Sequence, residues 1–343
     1  MKNFLITAAT ISLFAACSPS SQQSENKEQN QPSVIKIDGS STVYPVSEAV
    51  AEDYNKVKPD VKVTIGISGT GGGFKKFINK EIDIADASRP IKTVEAHKCD
   101  SVGIKYIEVP FAYDGIAIVV NPKNTWVDKI TTAELKMIWD APSQGKIMTW
   151  NQVRKGWPNK PIKLFGPSTD NGTFDYFTEV INGKAQQSRG DYTASATPNM
   201  LVQGIANDEN ALGYFGLAYY ANNKDKLKLI PVVNSKDSAN ATAVLPSAET
   251  VENGTYKPLS RALFVYVNTD AYVRPEVKDF LNFYIQDVPK IIIDVGYFPL
   301  QSDLYPIITK RLQDGTTGSI YTNGSEQGTT LEGLLNPNAA AQK

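Results

Sequence analysis

The chain has 343 residues, 35 of them Lys or Arg and 36 Asp or Glu, for a net charge of −1, with two cysteines and one histidine. That balance argues against a nucleic-acid binder, which needs a basic surface, but not against a small-anion binder, because oriented backbone N–H groups hold anions without net charge. The cysteines and the histidine show no CxxC or Cys/His spacing of a metal site.

Lys2 and the apolar run Phe4–Ala16 read as an export signal, too short for a permanent membrane span. The run ends in Ala15-Ala16-Cys17, which resembles a bacterial lipobox, with Phe14 standing where that pattern prefers Leu. This predicts a signal peptide over 1–17, a lipidated Cys17 and an exported protein anchored at a membrane, periplasmic or at the cell surface. Residues 18–33 are rich in Ser, Gln, Asn and Glu, the composition of a flexible tether. Cys99 then has no disulfide partner and reads as a buried thiol. About 310 residues remain, enough for two domains.

In chain order, Val34–Asp38 reads as a strand, followed by a helix from Pro45 with Val46, Val50, Tyr54 and Val57 on one face. Val61–Ile65 alternates as a strand, Phe74–Ile78 forms a short helix, and Ile82–Ala87 is a strand. Two strands are predicted near 104–109 and 115–121. Thr131–Glu134 is a capping box opening a helix through Leu135, Ile138 and Trp139. Ile162–Phe165 is a strand, Met200–Ile205 a helix, and Leu212–Phe215 and Ala262–Val267 strands. Helices near 277–285 and 289–295 follow, with a frayed tail from Asn336. There is no internal repeat. The strand–loop–helix alternation predicts an α/β fold with mainly parallel sheets and ligand loops at the strand ends.

Three glycine- and hydroxyl-rich clusters lie just ahead of predicted helices: Gly39–Thr42, Ser68–Gly73 and Ser168–Thr173. Helix N-termini carry unpaired N–H groups and the positive end of the dipole, and Ser and Thr add hydroxyl donors. A tetrahedral oxyanion suits such loops if the fold brings them together. Neither a Walker loop nor a dinucleotide fingerprint is present.

GSSTVYP (39–45), GISGTGGG (66–73), IADASRP (84–90) and PLSRALFVYVN (258–268), in this order, resemble the phosphate-binding proteins of bacterial ABC-type phosphate importers, in the periplasmic binding protein (PBP) superfamily. GPSTDNGTFDYF (166–177), SRGDY (188–192) and GYFGLAYY (213–220) point to one subgroup, and the likeness runs from about Val34 to about Leu300. The resemblance implies a two-lobed clamshell crossed twice, near Val119–Asn121 and Arg261–Ala262. Lobe one would be 34–118 plus 263–335, and lobe two 119–262. It implies no catalysis and no cofactor, a monomer that binds inorganic phosphate, and delivery to an ABC permease.

Carried onto this sequence, Ser40, Ser41 and Thr42 match the first anion loop, where helix capping is the plain alternative. Thr70, Gly71 and Gly72 match the second, read as a backbone nest or else a flexible turn. Ser88 and Arg89 end a strand at the ligand face, Arg89 offering a fork to phosphate or an ion pair at the rim. Asn171, Gly172 and Thr173 stand in the third loop, Asn171 in place of the usual Ser. Asp170 would read the proton of hydrogen phosphate and repel sulfate, or else cap a helix. Arg189 would supply the cation that relatives carry in the third loop, or else lie on the surface.

A sulfate or molybdate binder, a sensor or adhesin built on the same clamshell, and a secreted hydrolase are the competing readings. The hydrolase lacks GxSxG, and His97 would be its only histidine base.

Overall fold

The computed structural model describes residues 33–237, 241–321 and 330–335. The signal sequence, Cys17, the tether up to residue 32 and the tail from Asn336 lie outside the described residues. The chain enters on β1 (Ser33–Gly39), α1 (Tyr44–Val57), β2 (Val61–Ile67), α2 (Gly69–Ile78), β3 (Ile84–Ala87) and α3 (Thr93–Ser101). It crosses on β4 (Tyr106–Val120) to β5 (Ile130–Thr131), α4 (Thr132–Trp139), α5 (Trp150–Val153), β6 (Lys163–Pro167) and α6 (Gly172–Phe177). There follow β7 (Thr193–Ser195), α7 (Pro198–Asn207), β8 (Ala211–Gly216), α8 (Leu217–Ala221), β9 (Lys228–Leu229), β10 (Val232–Val233) and α9 (Ala248–Glu252). It returns on β11 (Ser260–Asn268), then α10 (Thr269–Tyr272), α11 (Pro275–Val295), β12 (Phe298–Pro299), α12 (Leu304–Gln313) and α13 (Leu331–Leu335).

The main sheet runs β2-β1-β3-β11-β4-β8-β6-β7. The expected parallel pairs are at its two ends, β2-β1-β3 and β8-β6-β7. Between them, β4 and β11 pair antiparallel because they carry the chain out and back. The two strands expected near 104–109 and 115–121 are one strand, buried along all 15 residues. A strand that serves both halves of the sheet has no solvent-facing side, so no polar alternation marks a break. β4 pairs with β11 as far as Gly115 and with β8 from Ile116, so the exchange of partners falls ahead of the expected crossing at Val119–Asn121.

Helices cover the sheet by burying the stripes that the spacing predicts. Val46, Val50 and Tyr54 of α1 are sealed, whereas Val57, its last residue, is exposed. The helices expected over 277–285 and 289–295 are a single 21-residue helix with Pro289 inside it. Proline removes one backbone donor, and the buried face of Val277, Phe280, Leu281, Tyr284, Ile285, Val288, Ile291 and Ile292 holds the helix together across that gap. The capping box at α4 is present, with Glu134 N donating to Thr131 Oγ1 at 3.1 Å and Thr131 N to Glu134 Oε2 at 2.8 Å. Among the described residues, no helix is long and apolar enough to cross a membrane.

Parallel register is what assembles the ligand face. Gly39, the last residue of β1, pairs with Ile67 at the end of β2 and with Asp86 near the end of β3. Residues 40–42, 68–71 and 88–89 therefore leave the sheet at one edge.

Candidate functional site

Those three exits enclose a cavity of about 270 Å³, lined on one side by Ser40, Ser41, Thr42, Gly69, Thr70, Gly71, Ser88, Arg89 and Lys92. Asp175, Tyr176, Glu179, Ala185 and Arg261 close the other side. Ser40 N donates to Asp86 O at 2.9 Å, and Ser40 Oγ accepts from the N–H groups of Thr42 at 3.2 Å and Val43 at 3.4 Å. Ser40 thus shapes the loop from within. Ser41 Oγ reaches across and donates to Asp175 Oδ2 at 2.8 Å. Thr42 Oγ1 donates to Gly172 O at 3.3 Å and accepts from an Arg261 Nη at 2.7 Å.

The second cluster differs from its expectation. Helix α2 begins at Gly69, so Gly71–Gly73 are helical rather than a loop before the helix. Gly71 lines the cavity, while a Cβ on Gly72 would meet Ser68 Oγ at 2.7 Å and one on Gly73 would meet Gly39 Cα at 2.6 Å. These last two glycines let α2 lie against its own cap and against β1. Thr70 Oγ1 takes the N–H of Ser88 at 3.1 Å and shares a 3.0 Å hydrogen bond with Ser88 Oγ.

Cationic side chains sort clearly by their partners. Arg89 reaches the wall, but its fork is spent on Glu95, Nη1 to Oε2 and Nη2 to Oε1 both at 2.8 Å, and it lies 5.3 Å from the Phe74 ring centre. Arg189 is not among the residues that line this cavity. It is buried, pairs with Asp191 at 2.5 and 2.8 Å, and donates to the carbonyls of Ile138 at 3.0 Å and Ile147 at 2.9 Å. Arg261 is the cation that faces the cavity from the strand crossing. It stacks 3.5 Å from the Tyr176 ring centre, with Nε 3.3 Å from Asp114 Oδ2. Burial pushes the sealed Asp114 carboxyl up, and Arg261 beside it offsets part of that rise.

The third cluster is divided. Asn171 caps α6, its Oδ1 accepting from Thr173 N at 2.8 Å. A Cβ on Gly172 would meet Thr42 Cα, N and Oγ1 at 2.6 Å, so here the two sides touch. Asn171, Gly172 and Thr173 line a neighbouring cavity of about 270 Å³ beyond Ser41, with Tyr219 and Tyr297. Asp170 is exposed and turned away, accepting from Ser168 Oγ at 2.5 Å, a bond that holds its carboxyl below the usual range. It neither caps the helix nor lines the cavity. Asp175, one turn into α6, does line the cavity, together with Glu179, and its Oδ1 is buried without a partner. His97 is exposed on α3, and among the described residues no group of His, Cys, Asp or Glu is placed to hold a metal ion.

The profile of the PBP superfamily domain matches residues 22–288. The SphX protein of Synechococcus elongatus is 47% identical over 305 residues, 89% of each chain. The phosphate-binding protein PstS of Staphylococcus saprophyticus is 39% identical over 305 residues, 88% of this chain and 90% of that one. This chain belongs to the phosphate-binding proteins of the PBP superfamily. A crystal structure of a possible phosphate binding protein from Planctomyces limnophilus superposes with a TM-score of 0.79 at 48% identity, covering 82% of this chain and 98% of that one. The two-lobed clamshell of these binding proteins accounts for the sheet that changes partners halfway along β4.

Arg261 and Asp175 are, with Lys92, Tyr176, Glu179 and Ala185, lining residues outside the set expected from the motifs. Arg261 stands in PLSRALFVYVN, at the second expected crossing. A charge opening an otherwise apolar strand was the available signal. Asp175 lay in DNGTFDYF, and its facing direction depends on where α6 starts.

Proposed function

We propose that this protein binds inorganic phosphate between its two lobes and passes it to an ABC-type permease for uptake. The observation that carries the reading is that Arg261 and Asp175 line the same hydroxyl-lined cavity. Arg261, Thr42, Thr70 and Ser88 supply donors for the phosphate oxygens, and the N-terminal turn of α2 adds backbone N–H groups. Asp175, whose Oδ1 is buried without a partner, supplies an acceptor that a protonated phosphate can satisfy and a sulfate cannot. The discriminating role expected of Asp170 passes to Asp175 in this reading. Ser40 and Ser41 shape the first loop, Gly71 lies in the first turn of α2 at the cavity wall, and Gly172 brings the lobes into contact. Asn171 and Thr173 cap and support α6, and Arg89 holds the rim through Glu95.

The lobes divide where the sheet exchanges partners, with residues from Ser33 to about Gly115 and from about Arg261 onward on one side. The protein acts as a monomer without cofactor or catalysis, exported and held by a lipid on Cys17. Replacing Cys17 by Ser should release it from membranes, and full retention would place the anchor elsewhere. Equilibrium dialysis with radiolabelled phosphate tests the binding. Saturable retention is expected, displaced by unlabelled phosphate and not by equal sulfate. Absence of retention, or release of phosphate from phosphomonoesters by the purified protein, contradicts the reading.

A further inference from the structure

We propose that Asp86 is a positioning residue for the anion loop that works in its protonated form, so that ionisation of this one carboxyl weakens ligand binding from behind the loop. The inference rests on the phosphate reading of the cavity. Asp86 does not line that cavity. It sits on β3 with 1% exposure, and both carboxyl oxygens are buried without a hydrogen-bond partner. Its backbone is part of the site, because its carbonyl accepts from Ser40 N at 2.9 Å and the residue pairs with Gly39.

The groups around the carboxyl leave it without a counter-charge. From α1 comes the Ser47 hydroxyl, which shares a 3.2 Å hydrogen bond with Tyr284 of α11. From β11, the paired residue is Val265, which is apolar. From β1 comes Asp38, a second negative charge whose own partner is Lys76 of α2 at 2.5 Å. Burial and Asp38 raise the Asp86 pKa to about 8, and Ser47 opposes them only in part. The proton is therefore held at neutral pH and lost in the mildly alkaline range. A charge appearing there would stand behind Ser40–Thr42 and under the first turns of α1, in a low-dielectric layer that screens it poorly from an anion in front. By linkage, a bound anion must raise the affinity of Asp86 for its proton by the same factor.

The test compares phosphate dissociation constants of wild type and Asp86→Asn by calorimetry from about pH 6 to about pH 9. Asparagine copies the neutral carboxyl, and the ratio of the two constants cancels the ionisation of phosphate itself. The ratio of wild type to variant is expected near one at the acid end and about fivefold at the alkaline end, for one unit of linked shift. A ratio that stays level while both proteins bind overturns the inference and leaves the phosphate reading standing. Absence of binding by either protein at every pH overturns the phosphate reading and this inference with it. Should the variant fail to fold, carbon-13 NMR of the wild-type Asp86 carboxyl serves instead. Its titration midpoint should rise by about one unit in saturating phosphate. An unmoved midpoint overturns the proposal.

Discussion

At the scale of single residues, the three arginines differ in what their guanidinium groups are bonded to and in whether they reach the cavity. Arg189 and Arg89 have their forks filled by Asp191 and Glu95, while Arg261 directs an Nη at Thr42 beside the cavity. Arg261→Ala should weaken phosphate by roughly 1.5–3 kcal/mol, the worth of a charge-assisted hydrogen bond. Arg189→Ala should instead lower stability by about 2 kcal/mol by leaving the carbonyls of Ile138 and Ile147 without their donor, with little change in affinity. Calorimetry and thermal melts on both variants separate these outcomes, and a large affinity loss in Arg189→Ala without a drop in melting temperature contradicts the assignment. Asp175→Asn should weaken phosphate and leave sulfate level or improved, whereas Asp170→Asn should change neither. Equal discrimination by wild type and Asp175→Asn would mean that another acceptor reads the phosphate proton.

At the scale of elements, close approaches decide the geometry. Gly172, at the start of α6, meets Thr42 of the α1 loop with no room for a Cβ. Gly172→Ala should therefore hold the lobes apart and weaken phosphate, and its scattering profile with ligand should stay wider than that of wild type. A variant that binds and compacts like wild type would show that the contact yields easily. Much of this was legible beforehand. The clusters at 40–42, 68–71 and 88–89 converge because parallel strands in register end at one edge, a consequence of pattern alone. The divided third cluster was not legible. Asp170 and Asp175 are five positions apart, and only the start of α6 at Gly172 decides which one faces Ser41. β4 hid its continuity because a strand buried on both faces carries no alternation. The pairing of Arg189 with Asp191 is a tertiary fact that spacing does not reveal.

At the scale of the whole molecule, pH and ligand act on the same framework. Asp86 has a folded pKa near 8, above the ordinary carboxyl value of about 3.9. Its stabilising contribution is thus complete below about pH 4 and is lost as pH rises towards about 8. Glu108 adds to the same slope, since burial raises it despite hydrogen bonds from Tyr266, Ser319 and Ile320 N. The melting temperature of Asp86→Asn should fall less over that window than that of wild type, and parallel profiles would contradict the buried neutral carboxyl. Phosphate touching both lobes favours the closed arrangement by its difference in affinity for the two states, so saturated wild type should be no larger in solution than the free protein. The most direct test of the central claim is a crystal structure of the phosphate complex. Phosphate is expected within hydrogen-bond distance of Thr42, Thr70, Ser88, Arg261 and Asp175. Phosphate held by Arg189, or seated in the neighbouring cavity by Tyr219 and Tyr297, would contradict it.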